Sequence, residues 1–212
     1  TSEIRCGRAA LHMWEEPCIS GTRGSGTVFF TGCVLKCVFC QNSVLAESKV
    51  GKPVTVSRLA EIFLELQNKG AHNINLVTPT HFVPSIRESI ILSKKNGLSV
   101  PIVYNTGSYE SVDTIKSLEG LVDIYLPDLK YVSSELSKKY SKAGDYFEVA
   151  RKAIDEMVRQ TGTSEFDDDG IMKKGVIVRH LLLPGCLSDS KNVIKYLNDT
   201  YRDDIFISIM NQ

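Results

Sequence analysis

The chain alternates short apolar runs with helical segments, and this alternation is the strongest constraint on its fold. Six runs predict strands, at residues 27–31, 73–77, 100–104, 122–126, 176–183 and 205–209. Helical patterns lie between them, as in residues 57–70, where apolar side chains recur at a spacing typical of one helix face. Buried strands that alternate with helices predict a parallel sheet with right-handed crossovers.

Local signals predict the remaining helices and loops. Asp145 and Glu148 form the pattern of a capping box, which predicts a helix from there to residue 160. Residues 161–174 predict a polar loop, in which the aspartates at 167–169 face solvent. Further helices are expected from Pro84, over residues 109–118, from a cap at Ser133 or Ser134, and over residues 188–198.

The number of strands decides between closed and open architectures. A closed eightfold barrel needs about 250 residues, whereas this chain offers six strands in roughly 185. We therefore predict an α/β fold, a partial (β/α)6 barrel with a parallel sheet, and keep an open doubly wound sheet as the alternative. Ligands bind at the carboxyl ends of the strands in both architectures. We expect one barrel domain over residues 26–212, preceded by an N-terminal extension over residues 1–25 that starts at Thr1 and is truncated.

Composition excludes several classes of protein. The chain has 25 basic and 25 acidic residues, so its net charge of zero disfavours a broad phosphate-binding surface. No apolar stretch approaches the ~20 residues of a membrane-spanning helix, and the charged N-terminal segment does not resemble a signal peptide. We therefore expect a cytoplasmic protein that binds neither nucleic acid nor membrane.

Three of the six cysteines are clustered directly after the first predicted strand, at Cys33, Cys37 and Cys40. In a reducing compartment, clustered thiols are more often metal ligands or redox groups than disulfides. Three thiolates can hold three irons of a four-iron, four-sulfur cluster, whose remaining iron stays open to an exogenous ligand.

Two other metal sites remain open on spacing alone. A structural zinc protein would need a fourth ligand, such as Cys18, His12 or Cys186, although zinc sites usually use two separated pairs of ligands. A non-enzymatic iron–sulfur electron carrier would need a fourth local cysteine, and the next one after the triplet is Cys186.

The spacing Cys-x-x-x-Cys-x-aromatic-Cys, formed by Cys33, Cys37, Phe39 and Cys40, resembles the signature of the radical S-adenosylmethionine superfamily. The wider sequence around residues 24–42, 71–81 and 209–212 is similar to an uncharacterised branch related to pyruvate formate-lyase activating enzymes. The resemblance extends from Glu15 to Gln212.

This resemblance implies a partial barrel in which the open iron of a [4Fe-4S] cluster chelates S-adenosylmethionine (SAM). An electron from the cluster breaks a carbon–sulfur bond of SAM, and the resulting 5′-deoxyadenosyl radical removes a hydrogen atom from the substrate. It also implies a reductant such as flavodoxin or ferredoxin, and a substrate that is either a glycyl-radical partner protein or a small polar molecule.

The resemblance further indicates cofactor contacts at the strand ends. The activating enzymes have a glycine-glycine-glutamate motif where this chain has Thr78, Pro79 and Thr80, so these threonines offer hydroxyl or carbonyl contacts in its place. His81 is the catalytic candidate, for proton transfer or substrate binding, with an exposed or structural histidine as the alternative. Asn105 takes the place of an aspartate, with a polar turn as the alternative.

Asp128 and Lys130 lie two residues apart, so in a strand they point to one side. They match an aspartate-leucine-lysine motif of the activating enzymes, although a surface ion pair would explain them equally well. Arg179 matches a cofactor-contacting arginine, whereas its neighbour His180 faces the other way and is expected to be structural. Phe39 and Gln212 complete the expected cofactor contacts.

The remaining cysteines lie outside the triplet. Cys6 and Cys18 could belong to a second metal site, whereas Cys186 is expected to be unimportant for iron binding. The polar residues expected around the mouth are not basic, which favours a protein or a small polar metabolite over RNA as the substrate.

Overall fold

The computed structural model describes residues 3–47 and 50–211 of the chain. The strands are β1 (Ile4–His12), β2 (Ser25–Phe30), β3 (Lys52–Val54), β4 (Ile74–Val77), β5 (Ile102–Thr106), β6 (Ile124–Pro127), β7 (Glu165–Phe166), β8 (Met172–Leu182) and β9 (Phe206–Asn211). The α-helices are α1 (Pro17–Ser20), α2 (Ser43–Ala46), α3 (Val56–Asn68), α4 (Val83–Lys95), α5 (Val112–Lys116), α6 (Ser134–Ser141), α7 (Tyr146–Thr161) and α8 (Leu187–Tyr201).

All six predicted strands are present, and they form the parallel part of the sheet in the order β2-β4-β5-β6-β8-β9. Beyond β2, the sheet continues through β1 and then β3, both of which pair antiparallel. No pairing among the described residues joins β9 to β1 or β3, so the sheet stays unclosed. The predicted α/β fold with a partial barrel is confirmed.

The N-terminal extension contributes β1, which the sequence analysis did not predict. In this strand only Ile4 and Cys6 are buried, whereas Arg8 and its neighbours are exposed. An antiparallel edge strand with one solvated face lacks the continuous apolar run that marked the parallel strands. The described part of the N-terminal extension is therefore joined to the sheet through the pairing of β1 with β2.

Two local predictions are wrong in detail. Asp145 immediately precedes α7, but its carboxylate accepts the Tyr109 hydroxyl at 2.7 Å and caps no amide of the helix. The predicted polar loop contains β7 and the start of β8, and Asp167 accepts backbone amides and forms an ion pair with Lys173 at 2.8 Å. By contrast, Ser133 is confirmed as the cap of α6, since its hydroxyl accepts the Leu136 amide.

The inside of the sheet is apolar towards the amino ends of the strands. Strand alternation places Val103, Ile124 and Ile177 on the same face, where they pack with Ile19 from α1. The Asn73 side chain holds α1 there by donating to the Ile19 carbonyl at 2.7 Å. This apolar layer closes one end of the barrel and leaves the carboxyl ends of the strands as the accessible end.

None of the described helices has the length and apolar character needed to cross a bilayer.

Candidate functional site

A cleft of about 380 Å³ opens at the carboxyl ends of the parallel strands. Its lining includes ten of the residues predicted from the sequence, which are Cys33, Cys37, Phe39, Cys40, Thr78, Thr80, Asn105, Asp128, Lys130 and Arg179. Other contributors to the lining are Trp14, Glu15 and Met210. Residues that are far apart in the sequence therefore share one cavity. The remaining predicted cofactor contact, Gln212, lies outside the described residues.

The thiols lie on residues 32–40, which we call the cysteine loop, and two helix ends hold this loop. The amides of Gly32 and Cys33 donate to the last two carbonyls of α2, at 2.9 and 3.1 Å. The amides of Lys36 and Val38 donate to the last two carbonyls of α6, at 3.2 and 2.9 Å. Carbonyls at a helix end lack partners within the helix, so these bonds satisfy both helices and fix the loop.

The three thiols of the loop are free and half-buried. Burial raises the pKa of the Cys33 thiol, and the neighbouring Cys37 and Cys40 raise it further, whereas Lys130 acts in the opposite direction. These mutual effects reflect the proximity of the three sulfurs. The Cys37 sulfur also lies 3.0 Å from the Ser141 hydroxyl at the end of α6.

Arg179 is the centre of a polar network at the base of the cleft. A backbone bridge between β8 and the end of β6 sets Arg179 beside Asp128, and the Arg179 Nε donates to that carboxylate at 2.9 Å. The same guanidinium reaches Glu15 at 3.2 Å and the Asn105 side chain at 2.7 Å. Lys130 donates to the other Asp128 oxygen at 2.5 Å.

This network is not the exposed ion pair that the sequence left open. The Lys130 and Asp128 side chains are only 15% and 17% exposed. Burial by itself would raise the pKa of Asp128, but the Arg179 and Lys130 cations outweigh it and hold that pKa below its usual range. Asp128 and Lys130 therefore both remain charged, so the bottom of the cleft carries a negative and a positive group before any ligand binds.

Glu15 is a site residue that the sequence analysis missed. It lies between β1 and α1, and its side chain is 12% exposed. Besides Arg179, its carboxylate accepts the side-chain amides of Asn75 at 2.8 Å and Asn105 at 3.1 Å. In the sequence, Glu15 is one of several charged residues near the N-terminus, and such residues usually face solvent. No local pattern therefore distinguishes it from the others.

The segment after β4 departs from the activating enzymes, and a buried carboxylate organises it. Glu110 is 3% exposed and accepts the hydroxyls of Thr80 at 2.7 Å, Thr106 at 2.6 Å and Tyr104 at 3.0 Å. Burial raises the pKa of Glu110, although these three hydrogen bonds act in the opposite direction. Thr80 donates its hydroxyl hydrogen to Glu110, so towards a ligand in the cleft that hydroxyl offers only an acceptor.

Thr78 has the left-handed backbone conformation, with φ of 57°, and its amide donates to the Asn105 carbonyl at 2.9 Å. This conformation is uncommon for a β-branched residue and is found mainly where the surrounding structure imposes it. The hydrogen bond ties the end of β4 to β5 and fixes the turn at the cleft.

Family comparison agrees with this geometry. The model of the radical SAM superfamily matches residues 27–166, which include most of β2, the cysteine loop and strands β3 to β7. The chain belongs to the radical SAM superfamily. Enzymes of this family use a [4Fe-4S] cluster and SAM.

The chain is similar to several longer proteins. An uncharacterized protein of Methanocaldococcus jannaschii is 28% identical over 211 residues, which cover 95% of this chain and 56% of that protein. The structure of Streptococcus suis SuiB bound to SAM aligns with a TM-score of 0.56 at 14% identity, covering 85% of this chain and 37% of that one. Methylornithine synthase PylB aligns with a TM-score of 0.55 at 18% identity, covering 86% and 51%.

The residues of this radical SAM chain fit a four-iron cluster. Thiolates are the usual ligands of such clusters, and each binds a different iron, so the three sulfurs need not converge on one point. Among residues 3–47 and 50–211, no three His, Cys, Asp or Glu side chains converge to hold a single metal ion. Leu35, which is 4% exposed, and Phe39 provide apolar cover beside the thiols.

The other cysteines lie in β1, in α1 and at the start of α8. Cys6 is buried in β1, where burial raises the pKa of its thiol to about 12. Cys18 belongs to α1, beside the apolar layer inside the sheet. Cys186 is buried at the start of α8. None of these three residues lines the cleft.

The two histidines of interest differ in setting. His81 is exposed on the turn before α4, with its ring 6.3 Å from that of Phe82, and it does not line the cleft. The structure therefore does not place this catalytic candidate with the other site residues. His180 is 2% exposed and its Nδ1 lies 2.8 Å from the Leu129 carbonyl, which agrees with a structural role for that nitrogen.

Proposed function

We propose that this chain is the catalytic part of a radical SAM enzyme, in which Cys33, Cys37 and Cys40 hold three irons of a [4Fe-4S] cluster. The observation that carries the proposal is that these thiols and the network of Asp128, Lys130 and Arg179 line the same cleft. When bound, the cluster and SAM together supply reductive carbon–sulfur cleavage and a 5′-deoxyadenosyl radical.

The charged groups at the bottom of the cleft suit a ligand that carries both a positive and a negative charge. Of the three hydrogens on the Lys130 ammonium, Asp128 accepts one, so two can be donated to a carboxylate or hydroxyl of SAM. Arg179 already donates to Asp128, Glu15 and Asn105, so its main role is to fix the direction of these side chains. Lys130 is therefore the stronger direct contact, and Arg179 is a positioning residue.

The walls of the cleft suit radical chemistry because they restrict access of water and of quenching groups. The cysteine loop covers one side, and the apolar layer around Ile19 closes the opposite end of the barrel. Trp14 lines the cleft while remaining 88% exposed, which places a large aromatic surface at the entrance.

For the substrate, we propose a polypeptide, with a glycyl-radical partner protein as the specific candidate and a small polar molecule as the alternative. The unclosed sheet supports this proposal because it leaves a lateral opening. SuiB, which has a similar fold, is known in a complex with its precursor peptide. A carrier such as flavodoxin or ferredoxin would supply the electron. This chain has Thr78, Pro79 and Thr80 where the activating enzymes have glycine-glycine-glutamate. This difference argues against assigning their protein substrate directly to this chain.

The test is anaerobic reconstitution with iron and sulfide, followed by addition of SAM and dithionite. The proposal requires about four irons per chain and the formation of 5′-deoxyadenosine and methionine. A colourless, zinc-loaded protein would instead support a structural zinc site, and a cluster without SAM cleavage would support an electron carrier. A glycyl doublet in electron paramagnetic resonance, after addition of a candidate partner, would separate the polypeptide substrate from a small molecule.

A further inference from the structure

A chain of two hydroxyl groups ends on one thiol of the cysteine loop. The Ser141 hydroxyl lies 3.0 Å from the Cys37 sulfur and 3.0 Å from the Tyr131 hydroxyl. Ser141 and Tyr131 are each 1% exposed, so water has little access to these contacts. Equivalent side-chain hydroxyl contacts to the Cys33 and Cys40 sulfurs are not found among the described residues.

Ligation to iron would fix the direction of both hydrogen bonds. A cysteine thiolate has no hydrogen to donate, so Ser141 must donate to the sulfur, and its oxygen can then accept from Tyr131. Ser141 is held for this task by its own backbone, since its carbonyl accepts the Lys36 amide at 3.2 Å. The adjacent carbonyl of Tyr140 accepts the Val38 amide at 2.9 Å, so the end of α6 grips the loop on both sides of Cys37.

We infer that Ser141, supported by Tyr131, is a positioning residue that raises the reduction potential of the cluster through the Cys37 sulfur. Reduction adds one electron to the cluster from an external low-potential carrier, and no ligand bond is broken. The added negative charge is shared by the thiolate sulfurs, so a hydrogen bond donated to a sulfur stabilises the reduced form more than the oxidised form. The inference rests on the proposed function, because it takes Cys37 as an iron ligand.

The test is a potentiometric titration of the reconstituted protein, in which the reduced cluster is followed by electron paramagnetic resonance. For Ser141→Ala we expect reduction to become about tenfold less favourable, a shift of ~59 mV to more negative potential for a one-electron couple. Tyr131→Phe should shift the potential in the same direction by less, since Ser141 is retained. Ser141→Thr, which keeps a hydroxyl, should restore the potential.

Ser137→Ala is the matched control. Ser137 lies one turn earlier in α6 and is also 1% exposed, and its hydroxyl donates to the Ser134 carbonyl at 3.1 Å. Its loss should leave the potential unchanged. A Ser141→Ala protein with full iron and the parent potential would overturn the inference. If Ser141→Ala fails to assemble a cluster, the reduction potential of Tyr131→Phe is the deciding measurement. A Tyr131→Phe potential equal to that of the parent would also overturn the inference. If the parent chain itself binds no iron, the proposed function fails instead.

Discussion

Replacement of Glu15 is the most direct test of the polar network around Arg179. Its carboxylate accepts from Arg179 at 3.2 Å, Asn75 at 2.8 Å and Asn105 at 3.1 Å, while its side chain is 12% exposed. Replacement by Ala leaves these donors buried with fewer acceptors. Breaking a buried ion pair costs about 3–5 kcal/mol, and since Arg179 keeps Asp128 as a counter-ion, we expect about 3 kcal/mol.

The assay is equilibrium unfolding of the metal-free chain in urea, under reducing conditions. Glu15→Ala should lower the free energy of unfolding by that amount, and Glu15→Gln, which keeps one oxygen acceptor, by less. The control is Glu148→Ala, because Glu148 is 60% exposed and pairs with Arg151 on the surface of α7, so little change is expected. If Glu15→Ala were as stable as Glu148→Ala, our account of the network as a buried, mutually satisfied unit would be wrong.

Three further predictions concern the metal, the cofactor and pH. Replacing any cysteine of the cysteine loop by Ala should abolish cluster binding, whereas Cys186→Ala should keep the parent iron content; iron and sulfide analysis checks both. Lys130→Ala should keep its iron yet bind SAM more weakly by ~1–3 kcal/mol in calorimetry, since a charged hydrogen bond is lost, while the exposed Lys138→Ala should bind normally. Burial raises the pKa of Glu110, so its contribution to stability is full at low pH and is lost as pH rises through the folded-state pKa. As the pH rises from below the usual pKa of a glutamate to above it, Glu110→Gln should therefore lose less stability than the parent, as measured by unfolding at each pH.

The fold was largely predictable because its main strands are buried on both faces. Runs such as residues 122–126 carry enough apolar side chains to be found without any knowledge of their neighbours. Strand β1 escaped prediction because Arg5 and Arg8 interrupt its pattern, and its place in the sheet depends on pairing with β2. The capping box failed because Tyr109, which is 36 residues from Asp145, competes for that carboxylate.

The site was predictable only where residues are close in the chain or where strand geometry applies. The cysteine spacing and the two-residue interval from Asp128 to Lys130 are local patterns, and alternation correctly separates Arg179 from His180. Glu110 gave no such signal. Tyr104 and Thr106 are close to it in the chain, but Thr80 reaches it only when the ends of β4 and β5 come together.

The long separations within the network have a consequence for how the site forms. Glu15 and Arg179 are 164 residues apart, and Arg179 and Asp128 are 51 apart, so neither contact exists until β8 has joined the sheet. The cysteine loop depends in the same way on α6. The last two carbonyls of α6 accept hydrogen bonds from loop amides that lie about 100 residues earlier in the chain. A partly folded chain therefore has three free thiols without the buried surroundings that restrict their chemistry. Because free thiolates react with oxidants when they are accessible, the order of events matters: helices α2 and α6 must be in place before the thiols can be held in the arrangement that suits a cluster.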